Sequence, residues 1–143
     1  MSGYVVDASV AIKWFIPEIH SDAALLVTRL HERLHAPAFM TMELGSVIAK
    51  KIRRKELTRA EGSTILKELH YLPLQRHTDE RLFSAAYELA LDTQQSLYDC
   101  LYLALAEAIE GRLITADRKF YKALAGGAFH DRLVWVEDLD RLA

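Results

Sequence analysis

Four acidic residues, Asp7, Glu43, Asp99 and Asp117, stand at positions where a chain of alternating strands and helices gathers ligands. Asp7 closes the apolar run Tyr4-Val5-Val6, and Asp117 lies two residues beyond the end of Leu113-Ile114-Thr115. Glu43 and Asp99 fall in the first turns of helices expected to open near Thr41 and after Ser96. Carboxylates brought together repel one another and their pKa values rise, a strain that a divalent cation relieves. Oxygen donors of this kind suit hard ions, Mg2+ or Mn2+, which keep several waters and complete their shell with phosphate oxygens. The chemistry such a centre supports is hydrolysis of a phosphodiester by water, with no protein nucleophile. Taken singly, each acid is better read as a structural device, since acids are enriched at helix starts anyway. Asp7 can cap a short helix through Ala11 and Trp14, Glu43 is favoured by the helix dipole, Ser96 with Asp99 fits a capping box, and Asp117 can cap the helix holding Phe120.

The elements that must position these acids follow from periodicity. Tyr4–Val6 reads as a buried strand. A helix capped by Ser21 is expected through Ala24, Leu25, Val27 and Leu30, and His35-Ala36-Pro37 is too short for anything but a strand or turn. The helix from near Thr41 carries Leu44, Val47, Ile48 and Ile52 on one face, and Thr58 with Glu61 forms a capping box for a helix to about Leu69. Tyr71-Leu72-Pro73-Leu74 reads as a short extended segment near a sheet edge, because proline cannot donate to a ladder. Helices are expected over Thr78 to Leu91 and from Ser96 to the stop at Gly111. Leu113–Thr115 and Leu133–Val136 are the last strands, separated by a short helix over Phe120 to Leu124 and the Gly126-Gly127 break. Short apolar strands alternating with helices, without tight hairpin signals, imply a three-layer α/β/α sandwich around a mainly parallel sheet of four to five strands. In such sheets ligands collect outside the carboxyl ends of the strands.

The bulk composition fits one domain spanning 1–143. The 143 residues are 51% hydrophobic, with 3 prolines and 6 glycines, which is the composition of a packed globule and not of a disordered segment. No apolar stretch is long enough to span a bilayer and no secretory leader is evident, so a cytoplasmic location is expected. The single cysteine, Cys100, lies in the apolar run LYDCLYLALA and reads as a small buried hydrophobe. A formal charge of −2 speaks against a general nucleic-acid coat, since phosphate affinity comes chiefly from excess Lys and Arg.

In this order and spacing the segments become familiar. Val5-Val6-Asp7-Ala8-Ser9, Pro37 followed by Glu43-Leu44, Tyr98-Asp99-Cys100-Leu101-Tyr102-Leu103-Ala104, and Leu113-Ile114-Thr115-Ala116-Asp117 together resemble the PIN-domain family, and within it the VapC-type toxins of toxin–antitoxin pairs. The resemblance covers nearly the whole chain. It implies a strand order that sets the first and fourth strands side by side, bringing Asp7 and Asp117 together. It further implies a Mg2+-dependent or Mn2+-dependent endoribonuclease acting on RNA, a homodimer, and inhibition by a cognate antitoxin protein. Asp7, Glu43, Asp99 and Asp117 match the family's catalytic and metal-binding acids. Ser9 and Thr115 match positions where the family keeps hydroxyls, which would either orient a carboxylate or water or simply satisfy a strand end or helix cap. One departure stands out: many relatives carry an asparagine one turn after the glutamate, where this chain has the shorter Ser46.

Three further features compete for attention. His31-Glu32-Arg33-Leu34-His35 matches the H-E-x-x-H pattern of zinc proteases, a remote alternative that requires both histidines on one continuing helix, and Pro37 argues against that. Five of the six positions from Lys50 to Lys55 are basic and Arg118, Lys119 and Lys122 flank the last acid, which suits either a solvated face or a flank for an RNA backbone. Trp14 and Phe15 could stack an unpaired base, although burial in a core or a dimer surface is the commoner use of such rings. A second class of function is a catalytically inactive PIN-like RNA-binding module or scaffold. Retention of all four acids weighs against it.

Overall fold

The computed structural model describes residues 3–142. Five parallel strands, β1 (Tyr4–Val6), β2 (Leu34–Pro37), β3 (Leu74–His77), β4 (Arg112–Thr115) and β5 (Leu133–Trp135), form one sheet in the order β3-β2-β1-β4-β5. Seven helices among the described residues flank it: α1 (Ala8–Ala11), α2 (Ser21–Val27), α3 (Met40–Arg53), α4 (Arg59–His70), α5 (Asp79–Thr93), α6 (Leu97–Ala108) and α7 (Arg118–Ala125). This is the expected α/β/α sandwich, with five strands and every observed pairing parallel.

Strand order fixes where a site can form. From β1 the chain builds outward through β2 to β3, and it then returns to place β4 on the other side of β1. The reversal creates a crevice at the carboxyl ends of β1 and β4, the usual place for a ligand in an open parallel sheet. Val5 pairs with Leu113 and Val6 with Ile114, so the residues that follow these strands, Asp7 and Asp117, emerge side by side.

Helix α6 holds this arrangement from beneath. Every residue from Cys100 to Ala106 is buried, and the helix packs against β1, β2 and β4. A helix apolar on all sides has to be central, which explains the run of apolar residues around Cys100. Its exit is tight. Gly111 follows α6 closely, and a Cβ there would stand 2.2 Å from the Gly3 carbonyl oxygen, the group that accepts the Arg112 N–H. Gly111→Ala therefore has to push β4 away from β1, an overpacking cost of about 2 kcal/mol. The expected result is a melting midpoint several degrees lower. Because the same shift separates Asp117 from Asp7, activity is expected to fall further than the loss of folded protein explains. An unchanged midpoint would show that the two strands tolerate the extra methyl.

Several boundaries differ from the sequence reading for local reasons. Helix α2 ends at Val27, short of Leu30, and its start is preceded by His20 in the left-handed region at φ 67°. The Ser21 hydroxyl does not cap this helix but accepts the Glu18 N–H at 2.7 Å. Strand β3 begins at Leu74, after Pro73, and lies at the sheet edge as the proline suggested. Tyr71 and Leu72 stay outside it. The Thr58–Glu61 capping box is present in both directions.

The zinc-protease reading is overturned by the local structure. His31 and Glu32 lie in a bend and His35 lies in β2, so the helical spacing that would align two histidines is absent. His35 is fully buried and its Nδ1 meets His77 Nε2 at 2.9 Å across the β2–β3 pair. Burial is the largest cause holding both rings below the ordinary histidine pKa.

Trp14 and Phe15 pack part-buried against the core, and the Trp14 indole donates to the Ala24 carbonyl at 2.8 Å. Their rings are used in packing. Cys100 is buried, with its sulfur 3.7 Å from Thr93 Oγ1. No described helix is long and apolar enough to cross a membrane.

Candidate active site

Asp7 is the most fully held of the four acids, and its environment explains why. As the N-cap of α1 it accepts the Val10 N–H on Oδ1 at 3.2 Å, while the Ser9 hydroxyl donates to the same oxygen at 2.5 Å. The Thr115 hydroxyl, from the end of β4, donates to Oδ2 at 2.5 Å. Each hydroxyl is itself fixed, because Ser9 Oγ accepts the Ala116 N–H at 2.9 Å and Thr115 Oγ1 accepts the Asp117 N–H at 3.0 Å. Ser9 and Thr115 thus stitch the ends of β1 and β4 together and clamp Asp7 between them. Only 8% of Asp7 is exposed, and that burial pushes its carboxyl up to about 7 despite the three donors. The nearby charge of Glu43 adds to the rise.

Asp117 caps α7 by accepting the Phe120 N–H on Oδ1 at 3.1 Å. Asp99 sits in the first turn of α6, where the Ser96 hydroxyl accepts its N–H at 3.0 Å. Burial is the largest cause raising the Asp99 pKa, the Ser96 hydroxyl opposes it, and the charge of Asp117 adds to it. Glu43 comes from the first turn of α3 and is raised chiefly by burial, with Asp99 and Asp117 contributing. The capping and clustering readings therefore hold together. Asp7 and Asp117 cap their helices while Asp99 and Glu43 lie in the first turns of theirs, and the mutual charge effects among these acids make the four helix starts one electrostatic unit.

Tyr102 is the partner that sequence reasoning missed. Its hydroxyl, one turn along α6 from Asp99, donates to Glu43 Oε1 at 2.6 Å across 59 positions of sequence. Burial first, and the Glu43 charge second, raise the phenol's pKa and keep it a donor. Ser46 does not serve this purpose: it is exposed on α3 and hydrogen-bonds to none of the four acids among the described residues. Glu43 is instead oriented by a tyrosine of α6. Within Tyr98–Ala104 the only hint was a second aromatic ring at i+4 from the first.

Among the described residues none of the four carboxylates makes an ion pair. Carboxylates drawn out of water without a cationic partner form a donor set suited to a hard divalent ion. No three His, Cys, Asp or Glu side chains among the described residues close into a ligand group by themselves. The basic stretch from Lys50 to Lys55 lies at the far end of α3, roughly 10–15 Å along the helix from Glu43 at about 1.5 Å per residue. There Lys51 bridges Glu18 at 3.3 Å and Glu56 at 3.4 Å, a solvated face and not part of the crevice. Arg118 and Lys119 do flank Asp117, and the Arg118 guanidinium lies over the Trp135 ring at 5.3 Å.

Comparison with known proteins agrees with this geometry. The PIN domain profile matches residues 4–124. Ribonuclease VapC3 of Pyrobaculum aerophilum is 34% identical over 117 residues, covering 80% of this chain and 89% of the relative. Ribonuclease VapC9 of Mycobacterium tuberculosis is 34% identical over 113 residues, covering 79% and 84%. The crystal structure of PAE2754 from Pyrobaculum aerophilum matches with a TM-score of 0.71 at 25% identity, over 99% of this chain and 89% of that one. A toxin–antitoxin complex from Klebsiella pneumoniae shares the fold, with a TM-score of 0.59 at 19% identity over 92% and 96% of the two chains. By its sequence, its strand order and the acids gathered at its switch point, the chain belongs to the PIN-domain family, on its VapC branch.

Proposed function

We propose that this chain is a divalent-metal-dependent endoribonuclease and the toxin of a VapBC-type toxin–antitoxin pair. The observation that carries the reading is the buried, unpaired Asp7 carboxylate, clamped by Ser9 and Thr115, whose hydroxyl also takes the Asp117 N–H, and facing the charge of Glu43, which in turn feels Asp99 and Asp117. Relatives named as ribonucleases at 34% identity support the activity, and the named toxin–antitoxin complex of the same fold supports the partnership.

Asp7, Asp99, Asp117 and Glu43 would hold Mg2+ or Mn2+, which when bound supplies an activated water and neutralises charge on the phosphate. The protein's own part is positional. Ser9 and Thr115 hold both Asp7 oxygens at fixed angles, Tyr102 holds one Glu43 oxygen and leaves the other free, and Phe120 N–H does the same for Asp117. RNA is the substrate, a homodimer is the working assembly, the cytoplasm is the location, and a cognate antitoxin is the inhibitor.

The test is induction of the chain alone in cells with mapping of new 5′ ends in total RNA. Growth arrest with discrete new ends, both relieved by co-expression of the antitoxin, is the expected result. Absence of new ends under induction of well-folded protein would refute the nuclease reading. A finer expectation concerns Tyr102→Phe. Removing the donor to Glu43 is expected to weaken the apparent Mg2+ affinity about tenfold, as losses around a metal ligand commonly do, while costing about 1 kcal/mol of stability. A metal titration of the cleavage rate checks it, and an unaltered titration curve would show that the Tyr102 hydroxyl does not position Glu43 for the metal.

A further inference from the structure

Beside the acids lies a supported aromatic face that the metal chemistry does not use. Tyr98, the residue before Asp99, stacks on Phe39, with ring centroids 4.8 Å apart and planes 15° from parallel. Phe39 immediately precedes α3, is part-buried against the core, and is anchored through its N–H to Asp79 Oδ1 at 2.9 Å. Tyr98 is 56% exposed. One face of the tyrosine thus rests on a fixed ring and the other is left to solvent, at the point where the α3 and α6 starts bring Glu43 and Asp99 together. An exposed ring normally moves freely, and a backed one is preorganised to stack. Nucleobases offer the matching flat face, and stacking requires the base to leave its neighbours.

We infer that Tyr98, backed by Phe39, is a stacking platform for one base of an unpaired RNA segment, positioning the adjoining phosphate at the acids. The proposal rests on the ribonuclease reading and deepens it by naming the side chain that would position the strand at the acids. Arg118 and Lys119 are exposed next to Asp117, where cations can hold backbone phosphates.

The experiment uses the full chain and a short single-stranded RNA carrying 2-aminopurine, whose fluorescence falls on stacking, with a duplex of the same sequence as control. Wild type is expected to quench the single strand and to cleave it in preference to the duplex. Tyr98→Phe and Tyr98→Trp should keep both properties. Tyr98→Ala should lose the quench at one labelled position and raise KM by about five- to a hundredfold, the range measured for base–aromatic stacking, with kcat within about twofold. Placing an abasic nucleotide at that position should bring wild type down to the Tyr98→Ala level and leave the variant unchanged. Two results would overturn the platform: a quench that survives Tyr98→Ala, or equal cleavage of duplex and single strand. Unaltered cleavage by Tyr98→Ala, as expected if a protein covers this face instead, would do the same. These failures differ from failure of the nuclease reading, which would show as no cleavage by wild type, or as cleavage that persists in Asp99→Asn, and which would take the platform with it.

Discussion

Asp99→Asn and Asp7→Asn are each expected to cut RNA cleavage by about a thousandfold or more while leaving the protein folded. The magnitude follows from the several kcal/mol of charge stabilisation that a properly held divalent ion provides, at about 1.4 kcal/mol per tenfold in rate. Asparagine keeps the shape of the side chain and removes the charge, so the helix caps survive in part. Asp7 illustrates the distinction: as an amide it still accepts the Val10 N–H through its oxygen, but it can no longer accept from both Ser9 and Thr115. Circular dichroism and melting curves on the same preparations separate loss of chemistry from loss of fold. Activity within a few-fold of wild type in both variants would transfer the protein to the scaffold class of PIN-like modules. Because the proposed nucleophile is water and not the RNA 2′-hydroxyl, the products are expected to lack a 2′,3′-cyclic phosphate.

Much of this site could be read from the chain because its acids sit at helix starts, and helix starts carry strong local signals. Thr58 with Glu61 and Asp117 cap as their spacing predicts, while of the expected Ser96–Asp99 box only the Ser96 half forms among the described residues. What local signals cannot carry is adjacency across the sheet. Nothing in the spacing of Asp7 and Asp117 says that β4 returns beside β1; that came from family resemblance, and the register of Val6 with Ile114 bears it out. The same limit hid Tyr102 and Phe39, whose partners Glu43 and Tyr98 lie 59 residues away in each case, on another helix. Trp14 and Phe15 pack inward, the commoner use of such rings, and nothing in the sequence separates a packed ring from a presented one such as Tyr98. Boundaries failed where backbone chemistry intervenes. Pro73 delays β3 by withholding an N–H, and the left-handed His20 lets the chain turn into α2 with Ser21 used on the turn instead of the helix.

Asp7 also makes the metal-free protein sensitive to pH in a direction that can be fixed in advance. Its folded-state value, about 7, lies above the ordinary carboxylate value of 3.8 that an unfolded chain would show. Between those two values the folded state holds a proton that the unfolded state releases, so stability falls as pH rises through this window and the full cost is present above it. For Asp7 alone that cost is roughly 4 kcal/mol, because the two values lie about three pH units apart and each is worth about 1.4 kcal/mol. Glu43 and Asp99, also raised, act in the same direction. His35 and His77, held below the ordinary histidine value, act in the opposite direction at the acid end, so the Asp7 contribution is the part of the wild-type pH slope that Asp7→Asn removes. Asp7→Asn should flatten the slope and melt several degrees above wild type at pH 8, less than the full cost because its amide N–H2 meets hydroxyls already engaged by the Ala116 and Asp117 N–H groups. Saturating Mg2+ should reverse the order, since an ion that binds only the folded state raises wild-type stability and leaves the variant behind. Parallel pH slopes in the two proteins would mean that Asp7 is ionised without penalty. A variant stabilised by Mg2+ as much as wild type would mean that the ion is held without Asp7. The crossing of the two melting curves thus separates the strain in the crevice from the metal affinity that the strain provides.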